Sequence, residues 1–214
     1  MEAKFLRPES IRTTAFFTGH RLLPHENREL AEAVFNSITE AYENGYRRFI
    51  SGCALGFDTI AAIQTIRLRD RFPDVRLSLA VPCPTQADRW NDAQRRQYAD
   101  LLEQADEKTV ISPFYYQGVM LTRNRFMADQ SSLCICYLNR YRGGTAFTVR
   151  YALHQGNIRI INLAVRETGN GRQLKEEKWN YTFISPSVHE NADIARLRLL
   201  SEKKLILKHT SDCC

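Results

Sequence analysis

Four short stretches carry residue types suited to an anionic ligand: TGHR (Thr18–Arg21), SGCALGFD (Ser51–Asp58), MLTRNRFMADQSS (Met120–Ser132) and RGGTAFT (Arg142–Thr148). Glycine lets a backbone approach a ligand closely, and Gly19, Gly52, Gly56, Gly143 and Gly144 supply that freedom in three of the four. His20 and Arg21 add donors, although His20 equally suits a hydrogen bond to a nearby carbonyl. Ser51 and Thr145 carry hydroxyls that can bond phosphate oxygens, and Thr145 can instead cap a helix. Asp58 stands where a helix would begin; it either accepts from a ribose hydroxyl or is a carboxylate favoured by the helix dipole. Arg123 and Arg125 offer guanidinium forks for phosphate or carboxylate, against the common fate of a solvated arginine. On spacing alone SGCALGFD reads as a tight turn at least as well as a cradle. It matches neither GxGxxG nor the lysine-bearing P-loop.

Joint meaning comes from the elements around these stretches. Short apolar runs at 13–18, 47–51, 76–83, 107–112, 133–138 and 158–163 read as strands. Between them lie segments of helical period: 25–45, 57–71, 86–106 with a break near Asn91, 118–132 and 143–157. Strands alternating with helices predict a mainly parallel sheet of about six strands with helices on both faces, a Rossmann-like three-layer α/β fold. LCICYL and IRIINL read as strands buried on both sides. The pattern places each of the four stretches after a strand and before a helix, at the carboxyl edge where open α/β sheets bind ligands. Residues 1–163 read as one domain. Residues 164–214 read as an extension, with a short helix in NADIARLRLL and an edge strand or tail at the end.

The composition admits an ordinary globular core, with 43% hydrophobic and 25% charged residues in 214. The net charge of +6 is spread along the chain rather than gathered in a stripe, so charge alone does not call for nucleic acid. Cys53, Cys83, Cys134, Cys136, Cys213 and Cys214 form no CxxC pair and no zinc spacing, so no metal or other cofactor is expected. Free thiols, the lack of a signal-like start and the lack of a long apolar run predict a cytoplasmic protein without a membrane span.

Several of these motifs together resemble the SLOG superfamily of Rossmann-like proteins, which includes the DNA-processing protein A family and the lonely-guy phosphoribohydrolases. SGCALGFD is similar to the SGxAxGxD turn of the DNA-processing proteins, and RNRFMADQSSLCICY followed by GGTAFTVRYALHQGN is similar to their RNR-to-glycine-to-helix order. Met120, Arg123, Asn124, Met127, Gly143, Gly144 and Thr145 resemble the lonely-guy pattern MxxRKxxM…PGGxGTxxE. PCPTQADRWNDAQRRQY, with Gln86, Trp90, Arg95 and Tyr98, resembles the YspA/YpsA-like branch. The likeness covers about residues 12–163. Where the lonely-guy motif carries its glutamate this chain has Thr148, which cannot serve as the same acid or base near neutral pH.

The resemblance implies binding or sensing of a nucleotide or nucleotide-derived ligand at Gly19, His20, Arg21, Ser51, Gly52, Gly56, Asp58, Arg123, Gly143, Gly144 and Thr145. An alternative is N-glycosidic hydrolysis, for which Asp58 and Arg123 are the catalytic candidates. A third reading is single-stranded DNA binding through Arg89, Arg95, Arg96, Arg123 and Arg125, with Trp90 or Tyr98 for stacking. Trp90 and Tyr98 read slightly better as core residues. Self-association to a homo-oligomer is expected by analogy with Rossmann-like edges and faces that pair.

Overall fold

The computed structural model describes residues 8–23, 27–140 and 142–164. A short helix, α1 (Glu9–Arg12), precedes β1 (Thr14–Gly19); it has no counterpart in the sequence reading because four residues carry no period. Then follow α2 (Asn27–Glu43), β2 (Arg48–Ser51), α3 (Phe57–Arg69), β3 (Arg76–Val81), a 3-10 turn (Pro84–Ala87), α4 (Asp92–Gln104) and β4 (Glu107–Val110). The series ends with α5 (Val119–Asp129), β5 (Leu133–Tyr137), α6 (Gly144–His154) and β6 (Arg159–Asn162). The break expected near Asn91 is the start of α4. There Asn91 accepts from the Gln94 amide at 2.9 Å while the Gln94 side chain accepts from the Asn91 amide at 3.1 Å, a reciprocal capping box.

All strands pair in parallel in the order β4-β3-β2-β1-β5-β6. The chain therefore steps outward from β1 to β4, then returns through α5 to start again on the other side of β1. β1 is the hydrophobic axis, and its alternate residues serve opposite layers. Phe17 packs with Val34, Ile38, Ala61 and Leu68 of α2 and α3. Phe16, its neighbour, packs with Met127 and Ala128 of α5 and Val149 and Ala152 of α6. Both rings are fully buried, each worth about 1.5–3 kcal/mol relative to exposure. α4 lies with α3, where Tyr98 and Leu101 cover Leu77, Leu79 and Ala62. The sheet-edge strands depart from the two-sided burial expected of IRIINL. Arg159 of β6 is exposed and Ile161 half-buried, because an edge strand has no neighbour on one side. The extension expected at 164–214, including Cys213 and Cys214, lies beyond Ala164 outside the described residues.

Candidate functional site

The reversal of strand order falls between β1 and β5, which end level with each other at Gly19 and Tyr137. Such a reversal splays the following loops apart and opens a crevice at the carboxyl edge. Asn162 fixes one wall of it, donating to the Leu138 carbonyl at 3.0 Å and accepting from the Leu138 amide at 2.9 Å. His20 fixes the other: its Nε2 accepts from the Asn139 amide at 3.3 Å and its ring meets Tyr137 edge-on at 6.3 Å. Burial, then the nearby Arg140 charge, hold His20 below its ordinary pKa, which suits that acceptor role. Arg21 is exposed beside it.

The glycines fall into two groups according to what fills the space of the missing side chain. A Cβ on Gly19 would overlap Phe57, whose Cδ1 would lie 2.6 Å away. A Cβ on Gly56 would strike the Arg21 carbonyl and lie 2.6 Å from the His20 oxygen, and its φ of +82° favours glycine as well. A Cβ on Gly52 would overlap the Arg123 guanidinium and lie 2.7 Å from Asp58 Oδ2. These three glycines make room for the chain itself. At Gly143 and Gly144 a Cβ would meet no atom of the described residues within 4 Å. Gly143 is the N-cap of α6, with φ of +92°, and no side chain among the described residues caps that helix. Its first-turn amides have no partner within the helix, and Thr145 sits among them, buried.

Ser51, Asp58 and Arg123 are inside, not at the surface. The Ser51 hydroxyl donates to the Asp58 carbonyl at 2.9 Å and accepts from the Cys53 amide at 3.0 Å, bonds that tie the turn to α3. Cys53 takes a φ of +48°, uncommon for a side chain with a Cβ. Burial, then the Asp58 charge, push its thiol up to about 12, so it is protonated. Asp58 is 5% exposed. Burial pushes its carboxyl up to about 6, against the pull of Arg123, the Ala54 amide, Arg21 and the Gly19 amide. Arg123 is 4% exposed, which replaces the solvated arginine of the sequence reading.

The Arg123 guanidinium donates to the Gly52 carbonyl, to the Ala80 carbonyl at 3.3 Å and, through Nε, to Asn124 Oδ1 at 2.8 Å. Asn124 Nδ2 donates to Thr148 Oγ1 at 2.7 Å, and Thr148 Oγ1 donates to the Gly144 carbonyl at 2.7 Å. One chain of hydrogen bonds therefore runs from the SGCALG turn to the first residue of α6, joining two stretches that lie far apart in sequence. Gln86 adds to it, donating to the Gly52 and Cys53 carbonyls at 3.3 and 2.9 Å. Thr148 is fully buried in this chain. Sequence reasoning missed Asn124 and Thr148 as a pair, since only the fold brings α5 against α6. The RNR stretch itself was the available signal.

Other sequence candidates lie elsewhere. Arg125 covers the rings of Phe147 and Tyr151 at 5.0 and 5.8 Å. Trp90 meets Tyr98 edge-on at 5.3 Å, and Tyr98 is buried in the core. Arg95 pairs with Asp92 and donates to the Trp90 carbonyl at 2.5 Å. Among the described residues no group of three or more His, Cys, Asp or Glu could hold a metal ion, and no helix is long and apolar enough to cross a membrane.

The parallel six-stranded sheet, reversed at β1/β5 and bearing glycine turns along one edge, defines a Rossmann-like α/β protein. The chain belongs to the YspA SLOG family, whose pattern it matches over residues 25–163. It is 26% identical over 148 residues to a UPF0398 protein of Halalkalibacterium halodurans, covering 65% of this chain and 78% of that one. A UPF0398 protein of Bacillus cereus is 24% identical over 160 residues, with coverage of 71% and 84%. Among solved structures, DNA processing protein A of Streptococcus pneumoniae superposes with a TM-score of 0.56 at 17% identity, over 74% of this chain and 52% of that one. The match thus spans about half of the pneumococcal protein. DNA processing protein A of Helicobacter pylori, described for its single-stranded DNA binding mode, gives 0.53 at 18% identity, over 74% and 68%. At these identities the likeness is one of fold.

Proposed function

We propose that the protein binds a nucleotide or nucleotide-derived ligand at the β1/β5 crevice, with a phosphate against the first turn of α6. The observation that carries this reading is the contrast among the glycines: the spaces at Gly19, Gly52 and Gly56 are filled from within, while among the described residues nothing fills those at Gly143 and Gly144. Open amides at a helix start, aided by the helix dipole, suit a phosphate. The charge layout supports it. On the carboxyl-edge loops Arg21, Arg89, Arg140 and Arg142 are exposed, and Asp88 is the one exposed acid among the described residues there. At the opposite edge cations are matched by carboxylates: Arg47 with Asp74 at 2.7 Å, Arg48 with Glu107 at 2.8 Å, and Arg69 and Arg76 with Asp106 at 2.8 and 3.2 Å. In this reading Gly143, Gly144, Thr145 and Arg21 meet the ligand, whereas Ser51, Asp58 and Arg123 shape the site from beneath. The burial of Asp58 and Thr148 favours binding over glycosidic hydrolysis, which needs a carboxylate at the ligand.

Calorimetric titration with AMP, ADP-ribose and NAD tests the proposal, alongside Gly144→Asp. The Cβ of an aspartate there would meet no atom of the described residues within 4 Å; the carboxylate suits a helix start, yet repels a phosphate. Binding of at least one of these ligands, weakened at least about tenfold by the substitution with the unfolding midpoint preserved, is expected. A folded wild-type protein that binds none of them ends the proposal.

A second reading, single-stranded DNA, is favoured by one specific feature. Phe114, Tyr115 and Tyr116 stand consecutively exposed on the loop after β4, on the same edge as the four arginines. Aromatic faces beside cations are the usual platform for unpaired bases. Of the set expected from sequence, Arg89 and Arg96 are exposed, while Arg95, Arg123, Arg125, Trp90 and Tyr98 have partners within the fold. Fluorescence anisotropy with a labelled oligonucleotide at two salt concentrations decides it: salt-sensitive binding that is lost in Phe114→Ala/Tyr115→Ala is expected, and no binding at low salt ends this reading.

A further inference from the structure

The hydrogen-bond chain beneath the crevice has a consequence for the residues that resemble a catalytic motif. Arg123, Asn124 and Thr148 are 4%, 8% and 0% exposed, so all three act inside the protein. Between them they tie together four separate segments. Gly52 follows β2, Ala80 lies within β3, α5 supplies the arginine and the asparagine, and Gly144 opens α6. The chain is polar throughout. Asn124 gives its oxygen to Arg123 and its amide to Thr148, which sets the amide's orientation, and the Thr148 hydroxyl both accepts and donates. Among the described residues no side chain caps the N-terminus of α6, so this link, together with the helix's own bonds, sets where its first amides lie.

We infer that Asn124 and Thr148 are positioning residues: with Arg123 they fix the start of α6 against the SGCALG turn and so preorganise the anion site. The inference rests on the ligand site proposed above. It gives Arg123 and Thr148 a role different from the one their motif positions suggest. The arginine reaches the ligand through Asn124, Thr148 and the α6 backbone, and the threonine stands as a link in that chain, not as a degenerate catalytic acid. A site whose donors are already fixed binds more tightly because less ordering remains to be done.

The test uses the full chain and three variants. Thr148→Val keeps the branched shape and removes the hydroxyl; Thr148→Ser keeps the hydroxyl; Asn124→Leu cuts the same chain one link earlier and serves should Thr148→Val fail to fold. Two quantities are read well below each unfolding midpoint: AMP affinity by calorimetry, and hydrogen exchange at the backbone amides of positions 147 and 148 in the ligand-free protein. Thr148→Val is expected to weaken AMP about tenfold and to speed exchange at the start of α6 by at least about tenfold more than at β1 amides, with Thr148→Ser close to wild type. Wild-type AMP affinity in folded Thr148→Val overturns the inference and leaves the ligand site standing. If wild type binds no AMP, the proposed site fails for this probe, and exchange alone decides: no local acceleration overturns the inference.

Discussion

Replacing glycine by alanine at positions 52 and 144 should have opposite consequences, although the chemical change is the same. At Gly52 the new methyl would overlap the Arg123 guanidinium and approach Asp58 Oδ2 to 2.7 Å. Neither can step aside into solvent, since both are at least nine-tenths buried and the guanidinium is held by Gly52, Ala80 and Asn124. Overpacking costs about 1–3 kcal/mol, and one disrupted hydrogen bond from a charged group adds about 1.5–3 kcal/mol. Gly52→Ala should therefore lose about 2.5–6 kcal/mol. For a chain of this size that lowers the melting midpoint on the order of 10 °C. At Gly144 the methyl meets no atom of the described residues within 4 Å, so Gly144→Ala should be neutral or gain up to about 1 kcal/mol through the better helix former. Urea denaturation of both variants and the wild type reads the difference directly, with unchanged m-values as the check that the unfolded states are alike. A Gly52→Ala protein within about 0.5 kcal/mol of wild type would refute the placement of Arg123 over that turn.

Gly19→Ala should be as damaging as Gly52→Ala, because its methyl would fall on Phe57, which stacks on Tyr137 at 6.1 Å; thermal unfolding checks it. Asp58 should make stability fall as pH rises from about 4 to about 6. Its folded-state pKa of about 6 stands above the ordinary 3.8, so the protonated acid favours the fold and the benefit is lost once the buried carboxyl ionises. The effect is on the order of 3 kcal/mol, and the difference between wild type and Asp58→Asn across that window measures it. Thr148→Glu, which restores the glutamate of the lonely-guy motif, should destabilise by several kcal/mol by forcing a carboxylate into a fully buried site. It should release no free base from AMP in a chromatographic assay.

The sheet was legible in the sequence because apolar runs such as LCICYL are short and the helical segments between them long, and several breaks carry a glycine or a proline, as at Gly45, Gly56, Pro73, Pro82 and Gly156. Gly45, with φ of +91°, follows the end of α2 at Glu43 and closes the helical segment read over 25–45. Which loops share an edge followed from alternation alone. What filled them did not. Sequence marks where a Cβ is missing, but Gly19, Gly52 and Gly56 are crowded by Phe57, Arg123 and backbone carbonyls that only the assembled fold brings near. Arg123 looked like a surface cation because burial of an arginine depends on partners as distant as Gly52 and Ala80. The aromatics show the same limit in reverse. Trp90 and Tyr98 interlock within the α4 layer, while Phe114, Tyr115 and Tyr116, in a loop without period, are the exposed ones.

The central claim is that the start of α6 is an anion site held in common with the SGCALG turn. Amide NMR of the full chain titrated with AMP tests it most directly. Saturable shifts concentrated at the Gly144, Thr145 and Ala146 amides, with smaller ones at Gly52 and Cys53, are the predicted result. Saturable binding that moves amides at the opposite edge, around Asp74 and Asp106, while leaving residues 144–146 unchanged, would contradict it.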